Sequence, residues 1–380
     1  MASLARLLRV EPGERRAVGL VVLSMFAGSF GLTVGESGVS ALFFERIGAD
    51  ALPAMYVAQG VLGFGAMLVL TAALGRIAPR RAYLLLPLAM TAIVVASRLI
   101  ASVGAAWIYP AMWLIVTLAY LLQAVYAWGT AGLVTDIRSA KRLFPLFGAG
   151  AILGAVIGGL VTPPLANVVG AANLLWIWAA GLVAGTALSR LVLGRRSAAR
   201  RPSRRRRRGG SSMRELAEGL GYVRHSSLLR WMAAGAVLFS VLFYSLYLPY
   251  AQAATRRFTD PDALAGFFGV FWGSVTAVSF LVSVLVANRL FARFGAATLV
   301  MVQPVLYMGA FAILLGTAAF PVIVAVRFTA NVWLQGVASP GWETLINAVP
   351  PTRRDQTRAF LNGGPAQAGT AIAGVVQIVG

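Results

Sequence analysis

The 380-residue chain has no cysteine and a single histidine, His225. The missing thiols exclude a disulfide framework and thiolate metal sites. One histidine, set in a basic stretch, reads as a solvated loop residue and leaves no cluster for a metal or a catalytic relay. Charge is scarce as well: 12% of residues are charged, against about 25% in soluble domains. Acids are the scarcer sign, 12 against 33 basic residues, and Lys141 is the only lysine. No nucleophile, acid–base pair or metal-ligand spacing emerges, so neither an enzyme activity nor a cofactor is expected.

What the chain has instead is apolar length, with 59% hydrophobic residues and a mean hydropathy of +0.78. A helix rises ~1.5 Å per residue, so about 20 apolar residues cross the ~30 Å hydrocarbon layer. Such runs lie near residues 17–44, 51–75, 82–103, 106–130, 143–164, 171–193, 229–253, 263–287, 296–317, 319–343 and 358–380. The pattern predicts an all-α polytopic membrane protein with about 11 helices and the lipid bilayer as its solvent. A net charge of +21 would suggest nucleic-acid binding in a soluble protein, but here the basic residues sit in alternate connectors, and no nucleic-acid partner is expected.

Arg6, Arg9, Arg15 and Arg16 precede helix 1, Arg76, Arg80 and Arg81 follow helix 2, and Arg138, Lys141 and Arg142 follow helix 4. Arg289 and Arg293 follow helix 8, and Arg353, Arg354 and Arg358 follow helix 10. The intervening connectors hold little beyond Arg46 and the Arg256–Arg257 pair, which Asp260 and Asp262 offset. By the positive-inside rule the amino terminus is cytoplasmic and the protein sits in a cytoplasmic-type cell membrane. No signal peptide is read before helix 1.

The longest connector carries the Arg204–Arg208 run beside Pro202, Gly209 and Gly210, then Met213, Leu216, Leu220 and Val223 at helical spacing. It predicts a basic cytoplasmic linker over 195–228 with an amphipathic surface helix. Anionic lipid headgroups are its expected partner, at about 1 kcal/mol per basic residue. The linker divides an N-terminal six-helix bundle, 1–194, from an incomplete C-terminal bundle, 229–380.

The two parts repeat one another. Arg76 and Pro87 after helix 2 match Arg293 and Pro304 after helix 8 at an offset of 217. Arg142, Phe144, Gly148, Ala155 and Gly158 match Arg358, Phe360, Gly364, Ala371 and Gly374 at 216. Parallel repeats of helix bundles are common in secondary transporters. With its basic middle loop and the stretch Glu218–Arg230, the chain resembles the major facilitator superfamily, which implies a two-bundle fold of 6+6 helices. The offset places Gly380 opposite Pro164, the end of helix 5, so the sequence reads as truncated, with a twelfth helix and a fused cytoplasmic regulatory domain as the expected continuation.

A narrower resemblance rests on Trp128-Gly129 and on Ala140-Lys141-Arg142-Leu143-Phe144-Pro145-Leu146-Phe147-Gly148. In residue types and spacing this stretch is similar to one in the ATP/ADP translocase (nucleotide transporter) family. The resemblance implies an alternating-access exchanger of nucleotides. The chain departs from the family's exchangers in two places: nothing basic lies between Arg16 and Arg46 in helix 1, and helix 4 has no acid from Met112 to Val134. A nucleotide with three or four negative charges needs several cationic or oriented donors to replace its hydration. Fewer charges than those of ATP are therefore expected on the substrate.

In the superfamily, helices 1, 4, 7 and 10 line the cavity, and here each carries polar residues at helical spacing. Helix 1 has Ser29, Thr33, Glu36 and Ser40, and helix 10 has Arg327, Asn331 and Gln335. Helix 4 has Thr117, Tyr120 and Gln123, and helix 7 has Ser240, Tyr244 and Tyr247. A charge at mid-membrane costs about 2.5–3.5 kcal/mol on insertion scales, which singles out Glu36 and Arg327. They read either as a proton-responsive carboxylate with an anion-binding cation, or as a structural pair. Tyr120, Tyr126, Tyr244 and Tyr247 offer rings to stack on a small-molecule substrate. Arg98 is expected to snorkel to the interface. Asp136, Lys141, Arg142 and Glu343 read as a cytoplasmic gate of salt bridges, or as simple topology anchors. The first reading of function is thus an alternating-access carrier of a nucleotide-like or other anionic metabolite. The other is a non-transporting, transporter-derived module that anchors or regulates a further domain.

Overall fold

The structure is a computed structural model. It describes residues 11, 14–76, 79–135, 137–196, 226–350, 357, 358 and 360–379. The basic run Arg204–Arg208, the amphipathic stretch beyond it, His225 and Asp136 lie outside the described residues, as does the side chain of Lys141.

All regular structure among the described residues is helical. The long elements are α1 (Arg15–Arg46), α2 (Leu52–Arg76), α3 (Pro79–Ser102), α4 (Ile108–Val134), α5 (Ile137–Val169) and α6 (Leu174–Arg196), then α7 (Ser227–Arg257), α8 (Pro261–Phe294), α9 (Ala296–Gly316), α10 (Phe320–Ile346) and α11 (Pro365–Val379). Among the described residues, nine helices are long and apolar enough to cross a bilayer. The spans read from hydropathy coincide with these helices at their centres and fall short at several ends. α5 starts at Ile137 and runs through Pro145, Pro163 and Pro164, so Arg142 belongs to its first turns rather than to a connector. α8 continues through a π turn, Ser283–Ala287, to Phe294, and only Gly295 separates it from α9. Arg289 and Arg293 are therefore helical residues. Gly295 has φ 78°, a conformation open to glycine at no steric cost, and this one residue reverses the chain.

Contacts divide the chain into two units. The first holds α1 to Phe43, α3 to α6, and α8 as far as Ser274. The second holds α2 to Gly75, α7, the rest of α8, and α9 to α11.

In the first unit, α5 lies against α1 through a row of glycines. A Cβ on Gly150 would stand 2.7 Å from the Val22 carbonyl and one on Gly158 2.8 Å from that of Phe30, while one on Gly154 would collide with the Phe26 carbonyl. The step is four residues on both helices. Small residues at i, i+4 and i+8 let two backbones approach in a membrane, where dispersion replaces the hydrophobic effect as the attraction. A Cβ on Gly159 of α5 would meet Gly269 and Gly273 of α8 in the same way. Val18, Val21, Met25, Ala131, Leu143, Phe147 and Val192 form the buried apolar cluster of this unit.

The second unit repeats the scheme with α11 in place of α5. A Cβ on Gly369 would meet the Val237 carbonyl of α7 at 2.6 Å, and Gly60 of α2 faces the Gln367 carbonyl of α11 at the same distance. So α5 packs on α1 and α8, and α11 on α7 and α2, as the repeat in the sequence requires. Pro87 and Pro304, matched at the offset of 217, both lie inside helices, α3 and α9.

Candidate functional site

Each unit carries one polar constellation inside its helices. In the second unit it centres on Arg327 of α10, seven residues from the helix start and hence about 10 Å along its axis. The side chain is fully buried. Its Nη1 donates to the Phe243 carbonyl of α7 at 2.8 Å. Its Cζ lies 4.1 Å from the centroid of the Phe243 ring and 5.1 Å from that of Tyr247. Tyr56, Tyr250 and Tyr307 are close enough to interact with the charge as well. No carboxylate of its own unit pairs with Arg327 among the described residues, and Nε and Nη2 have no hydrogen-bond partner there.

Those two N–H groups lie on one edge of the guanidinium. Nε and Nη2 together form a fork that matches two oxygens of a carboxylate or phosphate. The third edge group, Nη1, is spent on the backbone. In the same unit the Tyr56 hydroxyl and the Asn331 Oδ1 are also buried and without a partner among the described residues, whereas Asn331 Nδ2 donates to the Arg327 carbonyl at 2.8 Å. Tyr244 accepts from Gln59 Nε2 at 2.7 Å, and its ring lies 4.6 Å from that of Tyr56.

The first unit's constellation lies between α1 and α4 and has no net cation. Tyr120 donates to the Glu36 carboxylate. Below it a cavity of about 210 Å³ is lined by Ser24, Met25, Gly28, Ser29, Leu32, Tyr120, Gln123, Tyr126 and Trp128 among others, none of them charged. Ser24 gives its proton to the Gly185 carbonyl at 2.9 Å and lies 3.2 Å from the Tyr126 hydroxyl and 3.0 Å from Ser189. Tyr126 and Ser189 are 2.7 Å apart. This closed triangle fixes one polar wall of the cavity.

Of the residues singled out from sequence, Glu36, Tyr120 and Gln123 meet in the first unit, and Tyr244, Tyr247, Arg327 and Asn331 in the second. Gln335 stands apart and exposed. It lies in a π turn, Leu334–Ala338, whose wider i→i+5 bonding ends the i, i+4, i+8 register that put it on the face of Arg327. At the helix ends, Arg142 pairs with Glu14 at 2.6 Å and Glu11 at 3.3 Å. Its counterpart in the repeat, Arg358, pairs with Glu343 at 2.7 Å. Arg98 bonds Asn173 Oδ1 through Nε and Nη2, at 3.1 and 2.7 Å, and so ties α3 to the start of α6. Sequence reasoning missed Tyr56, Phe243, Ser24 and Ser189. Only Ser24 carried a hint, being a polar residue one turn before Gly28 in an apolar helix.

A family profile described as TLC ATP/ADP transporter matches residues 84–337, more than half of the chain. The chain belongs to the TLC ATP/ADP transporter family. It is a membrane transporter, and nothing in its family or fold points to an enzyme. No curated protein sequence gives a significant match. Among solved structures, a nucleoside transporter, NupG, is 12% identical over 94% of this chain and 89% of its own, with a TM-score of 0.66. A bacterial homologue of the iron transporter ferroportin in an inward-facing state is 14% identical over 94% and 91%, TM-score 0.65. A POT family transporter in complex with a thioalcohol-conjugated peptide is 12% identical over 96% and 90%, TM-score 0.63. At such identities these likenesses define the fold alone, which is that of the major facilitator transporters.

Proposed function

We propose that this TLC-family transporter is an alternating-access carrier of an anionic, nucleotide-like metabolite, and that Arg327 meets the anionic group. The observation that carries the reading is the open fork of a fully buried guanidinium. Its Nε and Nη2 have no partner among the described residues, while aromatic rings rather than carboxylates surround it. A charge-assisted fork-to-fork contact is among the stronger hydrogen-bonded arrangements in proteins, and a buried charge without one is costly. Tyr244 and Tyr247 supply rings beside the same group.

The charge on the substrate follows from the cation supply. α1 holds no basic residue between Arg16 and Arg46, and among the described residues the second unit offers one fully buried cation. One fork satisfies one phosphate or carboxylate, so a nucleoside monophosphate suits the site better than ATP. The arginine-rich connector fits a cytoplasmic amino terminus and contact with anionic headgroups.

Ligand-dependent thermal stabilisation of the purified protein tests the reading. A ligand at 100 times its Kd adds about 2.7 kcal/mol to the folded state. A nucleoside monophosphate should raise the melting temperature of the wild type and leave Arg327→Ala unmoved. An equal shift in both proteins, or none with any nucleotide or small anion, contradicts it.

A further inference from the structure

α8 ends in two arginines one turn apart. Arg289 and Arg293 are both exposed, and a spacing of four residues puts them on one face of the helix, where like charges repel. Neither takes part in an ion pair among the described residues. Arg142 and Arg358 differ in this respect, since Glu14 and Glu343 neutralise them at 2.6 and 2.7 Å. Arg293 is instead held by a ring: its Cζ lies 5.3 Å from the centroid of Phe294, itself 48% exposed. Stacking occupies the flat face of a guanidinium and leaves its N–H edges for an oxyanion.

The depth of the pair follows from helix length. With 34 residues, α8 is about 51 Å long, which exceeds the ~30 Å hydrocarbon layer by about 20 Å. Shared between the two ends, that surplus sets the last ~10 Å, the stretch that carries both arginines, at the level of the headgroups. After Gly295 the chain runs back as α9. Counted from this turn at ~1.5 Å per residue, Leu285 of α8 and Val305 of α9 lie about 15 Å away, and Leu281 and Met308 about 20 Å. All four are more than half exposed. Two unpaired cations therefore border a bare apolar surface on two antiparallel helices.

We infer that the α8–α9 corner binds an anionic phospholipid, with its phosphate on Arg289 and Arg293 and its acyl chains along Leu281, Leu285, Val305 and Met308. A phosphodiester presents the paired oxygens that a guanidinium edge matches. Its negative charge also offsets the repulsion between the two arginines. A free anion supplies the charge alone, whereas a lipid brings charge and chains in one molecule. The inference rests on α8 and α9 and is independent of the carrier reading.

The purified full chain in neutral detergent would be titrated with phosphatidylglycerol, phosphatidylcholine and inorganic phosphate, with binding read from the rise in melting temperature. Phosphatidylglycerol should stabilise the wild type at lower concentration than phosphatidylcholine, and salt at about 1 M, which screens charges beyond ~3 Å, should shrink the difference. Arg289→Gln and Arg293→Gln should each weaken phosphatidylglycerol binding about fivefold, and the double variant should bind the two lipids alike. Arg256→Gln with Arg257→Gln, at the end of α7, should keep the preference. Each variant is first shown to be folded by its melting curve without lipid, and the single variants carry the test if the double one does not fold. Equal affinity of the wild type for both phospholipids overturns the inference, as does unchanged phosphatidylglycerol affinity in the Arg289 and Arg293 variants. An equal rise with inorganic phosphate at matched concentration overturns it too, because the site would then read a free anion.

Discussion

Replacing Arg327 with methionine distinguishes a binding cation from a structural one. Burying the charge at membrane depth costs about 2.5–3.5 kcal/mol on insertion scales. The fold returns one charged hydrogen bond, to the Phe243 carbonyl, worth about 1.5–3 kcal/mol. Two ring contacts add about 0.5–2 kcal/mol each. Loss of the guanidinium does not orphan Phe243, whose carbonyl lies inside α7 and keeps its helical bond. Methionine fills much of the same volume and gains about 0.3–1.5 kcal/mol per sulfur–ring contact. The two sides nearly cancel, so Arg327→Met should unfold within about 1–2 kcal/mol of the wild type in mixed-micelle equilibrium denaturation. Breaking a buried ion pair typically costs 3–5 kcal/mol. A loss of that size would show that Arg327 holds the fold together and would refute the assignment of its free edge to a substrate.

Other substitutions test the packing and the site. Arg327→Lys keeps the charge but not the planar fork, so it should weaken monophosphate binding while leaving the protein folded, as isothermal titration would show. In the Ser24–Tyr126–Ser189 triangle each hydroxyl has two partners, so Ser24→Ala or Ser189→Ala alone should cost about 1 kcal/mol. The double variant leaves the buried Tyr126 hydroxyl orphaned and should lose about 1–3 kcal/mol more than the sum, a coupling that a double-mutant cycle reads directly. Gly154→Ala, whose Cβ would collide with the Phe26 carbonyl, should destabilise by about 1–3 kcal/mol through forced separation of α1 and α5. Gly309→Ala, with nothing within 4 Å of its Cβ, should be neutral or stabilising in the same melting assay.

The helix centres were legible because the bilayer imposes one length and one polarity on every span, and the repeat was legible because Arg142 and Arg358 keep their surroundings in step. The ends were less so. Pro163 and Pro164 signal a stop in water, yet α5 runs to Val169, since neighbouring helices in a membrane can satisfy the backbone groups that proline frees. Gln335 shows the limit of periodicity: its π turn depends on how α8 and α10 pack, with Gly336 set 3.0 Å from the Ser279 carbonyl, and no local residue announces it. Arg327 stood out by charge alone. Tyr56 and Phe243 did not, because one is an ordinary aromatic on a helix outside the expected cavity set and the other contributes a backbone carbonyl. The ion pairs of Arg142 with Glu11 and Glu14 escaped for a similar reason, as the acids precede α1 and only folding brings them to α5.

Flux is the most direct test of the central claim. Proteoliposomes loaded with unlabelled nucleoside monophosphate would be given the labelled compound outside, and its entry followed for the wild type and Arg327→Met. The account predicts saturable entry through the wild type and background entry through the folded variant. Equal entry through both proteins, or no entry of any nucleotide through a wild type that is folded and inserted, would contradict it.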